Sequence, residues 1–427
     1  MITKLLIFGI TGDLATRKLL PALGQIISTG NFNDLSVIGV SRHEVNQSEL
    51  FGHCDNKTFL DGKLSIFTMD LASADEYQRL KQYVVLGDDE QLLIYMAVPP
   101  LSTAQIVDFL GEVGINTPNV KILFEKPFGI NLESAEKLIQ QTASHYQEQQ
   151  IYRIDHYLAK EMAQNIIAFR ARNALFYHIW NNNFIESIEI VSLQKGGIDG
   201  RAQFYEQTGA LRDLVQGHLM QLLTLTLMDI PQGLEWERMP ELRLAALNQL
   251  QPVDPGKVVR AQYEGYKEEV NNNDSQVETF VSIEMSSNQP NWVGVPIRLT
   301  TGKELSETTA EIRIRLKTSN GAQSNCLVFK IQPDEGINIE LFVKKPGYSR
   351  EFEARNLSFN YENDVKLPDA YEQVLVDAIS SEKSLFTGSN EVLRSWQILK
   401  PIQDDWNSWQ QQPKTYPKGS SAQSILA

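Results

Sequence analysis

Five short apolar runs in the first third of the chain limit its fold more than any other feature. Lys4 to Phe8, Leu35 to Val40, Leu64 to Met69, Leu92 to Ala97 and Lys121 to Phe124 have strand length and read as buried. Helix-like segments separate them, and strands alternating with helices assemble as a parallel, doubly wound α/β sheet. After about residue 170 the texture changes. Glu186 to Val191, Gln276 to Glu284, Thr309 to Lys317 and Asn338 to Val343 alternate apolar with polar residues, the pattern of antiparallel strands with one solvated face. Thr208 to Met228 and Ala370 to Ala378 have helical spacing, the latter following Pro368-Asp369. The expected organisation is an α/β domain over residues 1–170. An α+β domain with a large, mainly antiparallel sheet follows over 171–427.

A chain of 427 residues exceeds one ordinary core, which fits this division. With 42% hydrophobic and 22% charged residues and no run of about 18 apolar positions, it reads as a globular protein without a membrane span. The N-terminus shows no export signal, and the two cysteines, Cys54 and Cys326, show neither a disulfide framework nor metal-ligand spacing. A cytoplasmic protein without a bound metal is expected. The net charge of −14 argues against nucleic-acid partners, though a cleft lined with basic residues could still hold an anion. The tail from Gln410 to Ala427 is polar and rich in Ser, Pro and Lys, so part of it is expected to be loose.

The first strand leads into Gly9-Ile10-Thr11-Gly12-Asp13-Leu14-Ala15 and then a helix bearing Arg17 and Lys18. Glycines at this Rossmann-type turn let the backbone approach a pyrophosphate, and the helix N-terminus supplies N–H donors. The turn lacks one glycine of the usual pattern, and a strand–glycine–helix turn is often only a turn. After the second strand, Ser41-Arg42 stands where an acidic residue would hold the ribose hydroxyls of NAD. A hydroxyl and a cation there favour the 2′-phosphate of NADP. Taken alone, Arg42 and Lys18 are equally readable as solvated surface residues.

Between Tyr152 and Lys160 an acid, an imidazole, a phenol and an ammonium fall within nine residues. If this stretch is helical, His156 and Lys160 share a face suited to a phosphate dianion, Tyr157 adds a neutral donor, and Asp155 points elsewhere. A second cluster, Arg212-Asp213-Leu214-Val215-Gln216-Gly217-His218, opens a strongly apolar helix. His218 is a candidate general base, and a carboxylate such as Asp155 would fix its tautomer and stabilise its cation. A capping Asp155, a hydrogen-bonded core His218 and a surface Lys160 explain the same residues without chemistry.

Taken in order, these segments resemble the glucose-6-phosphate dehydrogenase family over nearly the whole chain. The nucleotide loop Gly9 to Ala15, Tyr95 to Pro100, Glu125-Lys126-Pro127-Phe128-Gly129 and Arg153 to Glu161 are similar to its motifs. So are Gly209-Ala210-Leu211-Arg212-Asp213 to Gln221, Gly294-Val295-Pro296, Thr301-Gly302-Lys303 and Pro368-Asp369-Ala370-Tyr371-Glu372. The resemblance implies oxidation of glucose 6-phosphate at C1 by NADP to 6-phosphogluconolactone, the first step of the oxidative pentose phosphate pathway. It implies His218 as base with Asp155 behind it. His156, Tyr157 and Lys160 are then expected on the phosphate, and Lys126, Asp213 and Lys303 on the sugar. Gly9, Thr11, Gly12, Asp13, Leu14, Lys18, Ser41, Arg42 and Lys126 are the expected cofactor residues, and a homodimer or homotetramer the expected assembly.

The chain departs from the family pattern mainly near the sugar. Gln194 stands for a glutamate, Gly217 for an asparagine, Thr300 for an arginine and Thr308 for a basic residue; Ala261 and Val277 also differ. Exchanging charged for neutral groups alters which hydroxyls or amines a pocket can hold. A dehydrogenase of another hexose or aminohexose 6-phosphate, or a catalytically weak relative, is therefore the alternative reading.

Overall fold

The computed structural model describes residues 2–198, 200–231, 233, 235–318, 323–361, 367–408 and 412–427. By contacts the chain divides into two compact units. The first comprises Met1–Gly129, Glu133–Ala159 and Pro368–Ser389; the second comprises Ile130–Leu132, Lys160–Leu367 and Asn390–Ala427. The division in sequence falls at Ala159/Lys160, where the sequence reading draws it after 170, and Pro368–Ser389 returns to the first unit.

The first unit is built on β1 (Ile2–Phe8), β2 (Leu35–Ser41), β3 (Leu64–Thr68), β4 (Glu90–Met96), β5 (Val120–Phe124) and β6 (Ile151–Ile154). These pair in parallel in the order β6-β5-β4-β1-β2-β3, and the short strand Phe386–Thr387 adds antiparallel to β6. Leu5 to Phe8 and Leu92 to Tyr95 are wholly inaccessible, as expected of strands covered on both faces. The order reverses between β1 and β4, and in doubly wound sheets that is where the carboxyl ends of the strands leave a crevice.

The second unit holds a nine-stranded sheet. Its strands are β7 (Ile185–Leu193), β8 (Val258–Tyr263), β9 (Phe280–Met285), β10 (Ile297–Gly302), β11 (Thr309–Leu316), β12 (Cys326–Gln332), β13 (Gly336–Lys344) and β14 (Phe352–Asn360), with Lys414–Tyr416 at one edge. Alternation sets the face: Ala310, Ile312 and Ile314 on β11, and Leu327, Phe329 and Ile331 on β12, point to the core. The sheet is mainly antiparallel, but β7 with β10 and β8 with Lys414–Tyr416 pair in parallel. Among the described residues no helix is long and apolar enough to cross a membrane.

Three expectations are corrected. The stretch from Tyr152 to Lys160 is not helical: β6 ends at Ile154, a turn follows, and Lys160 is the N-cap of helix Glu161–Arg172. His156 and Lys160 therefore do not share a helical face. The apolar segment from Thr208 to Met228 is not one helix. Ala202–Ala210 kinks at Gly209, Leu211–Leu219 is π-wound, and Met220–Leu227 returns to α-helix. The described part of the tail is ordered, forming strand Lys414–Tyr416 and helix Ala422–Leu426, with the Tyr416 hydroxyl donating to the Lys303 carbonyl at 2.6 Å. Gln410 and Gln411 lie outside the described residues.

Candidate active site

At the carboxyl ends of β1 and β4 a cleft of about 470 Å³ opens, lined among others by Gly9, Thr11, Gly12, Ser41, Arg42 and Pro99. Gly9 sits at φ +84°, and a Cβ there would lie 2.3 Å from the Ala97 carbonyl oxygen. The Gly12 N–H donates to the Gly9 carbonyl at 2.9 Å, closing a tight turn before the π-wound Ala15–Leu19 and the helix Leu20–Ser28. A cradle that a side chain would fill, facing a helix N-terminus, fits a pyrophosphate. Ser41 is buried while Arg42 is exposed, and both line the cleft, so a cation and a hydroxyl are available to a ribose phosphate.

Not every expected cofactor residue lines this cleft. Asp13, Leu14, Lys18 and Lys126 are not among its lining residues. Lys18 forms an ion pair with Asp369 at 3.1 Å, and Asp13 lies 3.4 Å from Arg17. Lys126 lines a separate cavity of about 30 Å³ with Glu125, Pro127 and Phe128. The sequence reading missed Asp70, Ala72, Ser102 and Gln105 as lining residues. Asp70 is an acid just beyond β3, the one signal that could have marked it.

Also in the first unit, Asp155 is 1% exposed, and its Oδ1 accepts the Tyr157 N–H at 2.9 Å, turning the chain after β6. His156 stacks on Tyr371 with ring centroids 6.3 Å apart and lies 5.2 Å from the Tyr157 ring. The Tyr95 hydroxyl donates to Glu125, which precedes Lys126. Burial pushes the Glu125 carboxyl up to about 7, and the nearby Asp155 carboxylate adds to the rise, against the Tyr95 hydrogen bond and Lys126. Burial, then the Glu125, Asp369 and Asp155 carboxylates, raise the Tyr371 hydroxyl. The first unit thus gathers Glu125, Asp155, His156 and Tyr371 around the strand ends.

In the second unit, Asp213 and His218 lie on the π-wound Leu211–Leu219. In an α-helix residues five apart diverge by about 140°. In a π-helix the hydrogen bond itself runs between residues five apart, so Asp213 and His218 come to one face. His218 is 5% exposed. Lys303, just after β10 and 4% exposed, donates to Gln194 Oε1 at 2.6 Å, and its ammonium lies 5.2 Å from the Tyr205 ring centroid. Burial, then the carboxylates of Asp213 and Glu278, hold the Tyr205 hydroxyl well above its usual range. Asp213, Lys303 and Tyr205 thus form one polar group. Lys160 donates to Gln332 Oε1 at 2.7 Å, and Thr308 accepts the Lys195 N–H through its hydroxyl at 3.0 Å.

Comparison with known proteins agrees over both units. The family described as "Glucose-6-phosphate dehydrogenase, NAD binding domain" matches residues 6–165, and "Glucose-6-phosphate dehydrogenase, C-terminal domain" matches 167–425. The chain is 34% identical to glucose-6-phosphate 1-dehydrogenase of Rhizobium meliloti over 457 residues, covering 97% of this chain and 93% of the relative. It is 33% identical to that of Borreliella burgdorferi over 439 residues, covering 94% and 91%. A solved glucose-6-phosphate dehydrogenase in complex with its substrate glucose 6-phosphate aligns with TM-score 0.91 at 29% identity, covering 99% of this chain and 95% of that one. The enzyme from Mycobacterium avium aligns with TM-score 0.88 at 28% identity, covering 100% and 96%.

Proposed function

Because the chain belongs to the glucose-6-phosphate dehydrogenase family, we propose that it oxidises glucose 6-phosphate at C1 to 6-phosphogluconolactone, entering the oxidative pentose phosphate pathway. The observation that carries this is the match of both family domains across almost the whole chain, with Lys126, Asp155, His156, Tyr157, Lys160, Asp213, His218 and Lys303 all present. NADP, held at the β1/β4 cleft, supplies the hydride acceptor. Of the residues expected to hold it, Gly9, Thr11 and Gly12 line that cleft and are proposed to take the pyrophosphate, with Ser41 and Arg42 taking the 2′-phosphate.

His218 takes the proton of the C1 hydroxyl as the C1–H bond gives up its hydride and the carbonyl of the lactone forms. Asp155 fixes its tautomer and balances the imidazolium charge. His156, Tyr157 and Lys160 bind the sugar phosphate, while Lys126, Asp213 and Lys303 orient the ring hydroxyls. Gln194 favours a second reading. The Lys303 ammonium donates to a neutral amide where the family has a glutamate, and exchanging a charged for a neutral group changes which hydroxyls or amines the pocket can hold, toward another hexose or aminohexose 6-phosphate. The proposed assembly is a homodimer or homotetramer, supported by exposed apolar side chains on the edge strand β14, among them Phe352 and Leu357. A cytoplasmic location is in keeping with the free thiols of Cys54 and Cys326.

The test is NADPH formation, followed by absorbance, over glucose 6-phosphate, other hexose 6-phosphates and glucosamine 6-phosphate, with NAD in parallel. Highest kcat/KM for glucose 6-phosphate with NADP is expected. Turnover of an aminohexose phosphate alone would transfer the assignment to the second reading, and no turnover of any would refute both.

A further inference from the structure

The residue that anchors the His218 segment has no part in the chemistry just described. Glu278 stands two residues before β9 and is 2% exposed. Its Oε1 accepts the Leu211 N–H at 2.8 Å, and its main-chain carbonyl accepts the Ala210 N–H at 3.0 Å. One residue therefore satisfies two neighbouring N–H groups at the start of the π-wound Leu211–Leu219, where helix geometry leaves donors without partners. A carboxylate there also faces the positive end of the segment. The approach is close: a Cβ on Gly209, at φ +61°, would lie 2.6 Å from Glu278 Oε1. Burial raises the Glu278 carboxyl, and the charges of Arg212 and Arg260 oppose that rise.

The next residue reaches the other side of the polar group. The Thr279 carbonyl accepts the Lys303 N–H at 3.0 Å. Its hydroxyl accepts the Tyr263 N–H at 2.9 Å and lies 3.0 Å from the Tyr416 hydroxyl, which donates to the Lys303 carbonyl at 2.6 Å. Two adjacent residues thus hold the helix end that carries Asp213 and His218 and the backbone that carries Lys303. No spacing in the sequence reveals this, since Leu211 and Glu278 are 67 positions apart.

We propose that Glu278 is a positioning residue for the dehydrogenase reaction: its carboxylate closes the N-terminus of the π-wound segment and, with Thr279, sets the separation between Asp213, His218 and Lys303. The proposal rests on the reaction assigned above. Without the carboxylate, the Leu211 end is free to relax toward α-winding, which would rotate Asp213 and His218 away from a common face.

The test compares Glu278→Ala with Glu278→Gln. A misplacement of about 1 Å at a reacting group costs up to about 100-fold, so Glu278→Ala is expected to lower kcat for glucose 6-phosphate by about 10- to 100-fold. NADP affinity stays unchanged, because the cofactor cleft is built wholly from the first unit. Glu278→Gln, whose amide oxygen can still accept the Leu211 N–H, recovers most of kcat. A second readout does not depend on turnover. In histidine-labelled protein, which has six histidines, the His218 ring resonances, assigned with His218→Asn, shift in Glu278→Ala and not in Glu278→Gln. Unchanged kcat together with unchanged His218 resonances in Glu278→Ala would overturn the proposal. If the wild-type protein oxidises no hexose phosphate, the assigned reaction fails, while the His218 resonances still decide the positioning role. Should Glu278→Ala not fold, Glu278→Asp carries the test. One methylene short, it loses kcat with NADP binding retained, and wild-type kcat in that variant would overturn the proposal.

Discussion

Replacing Gly9 with alanine tests the cofactor cleft where its geometry is least forgiving. The residue lies at φ +84°, a region that costs an L-residue about 1–2 kcal/mol. The added Cβ would meet the Ala97 carbonyl oxygen at 2.3 Å, its carbon at 3.0 Å and Val98 Cγ1 at 3.1 Å. Two of these three atoms are backbone, so the clash is relieved only by moving one wall of the cleft, by about 1 Å to reach ordinary contact. Backbone N–H groups that meet a phosphate lose their alignment over that distance, and each hydrogen bond to a charged group is worth about 1.5–3 kcal/mol. Loss of one such bond weakens NADP binding by about 10- to 100-fold. Gly30→Ala is the control. Gly30 has φ +80° with nothing within 4 Å of a Cβ, so it incurs the backbone strain without disturbing the cleft. Both variants should lose thermal stability, and calorimetric titration should find weaker NADP binding in Gly9→Ala alone. NADP affinity within roughly two-fold of wild type in Gly9→Ala would refute the reasoning.

Two further outcomes follow from the first unit. Arg42→Ala should raise the KM for NADP much more than that for NAD, with kcat at saturating cofactor nearly unchanged; equal effects in steady-state kinetics would remove Arg42 from the 2′-phosphate. Glu125 has a folded-state pKa of about 7 against 4.5 for the free side chain, so its contribution to stability is fully present below 4.5 and is lost as pH rises through 7. A shift of this size corresponds to roughly 3 kcal/mol. Glu125→Gln, which keeps an acceptor for the Tyr95 hydroxyl, should therefore raise the melting temperature relative to wild type more at pH 8 than at pH 4, and the reverse order would contradict the burial argument.

The parts of this protein legible in its sequence are those where one local pattern meets one structural demand. Buried parallel strands need unbroken apolar runs, and Leu92 to Ala97 locates β4, which begins two residues earlier at Glu90 and ends at Met96. Strand β6 is only four residues long and contains Arg153, whose charge is met by Glu148 at 2.8 Å, so it carries no such run. The chance spacing of His156 and Lys160 then reads as a helix face. What turns the chain is the bond from the Tyr157 N–H to Asp155, a local competitor of helix that spacing does not reveal. The π-winding of Leu211–Leu219 is invisible for a related reason: its apolar residues satisfy an α-helical period, and the cap that accompanies the winding comes from Glu278. The tail looks loose by composition because its anchors are distant. Tyr416 binds the Lys303 carbonyl, and the Ser306 N–H donates to the Ser420 carbonyl at 3.0 Å. At the candidate site, residue types were readable. Lys303 on Gln194 and Lys160 on Gln332 join positions 109 and 172 apart, and only the folded chain shows them.

The central claim is that His218 is the base that starts oxidation of the sugar phosphate. Its most direct test is the His218→Asn variant, with kcat measured beside separate dissociation constants for NADP and glucose 6-phosphate. The neutral imidazole accepts a proton only in the transition state, so kcat should fall by about 10²- to 10⁴-fold while both dissociation constants stay close to wild type. Asp155→Asn should lower kcat in the same direction by withdrawing the countercharge. A His218→Asn enzyme that turns over at a rate near wild type would contradict the mechanism.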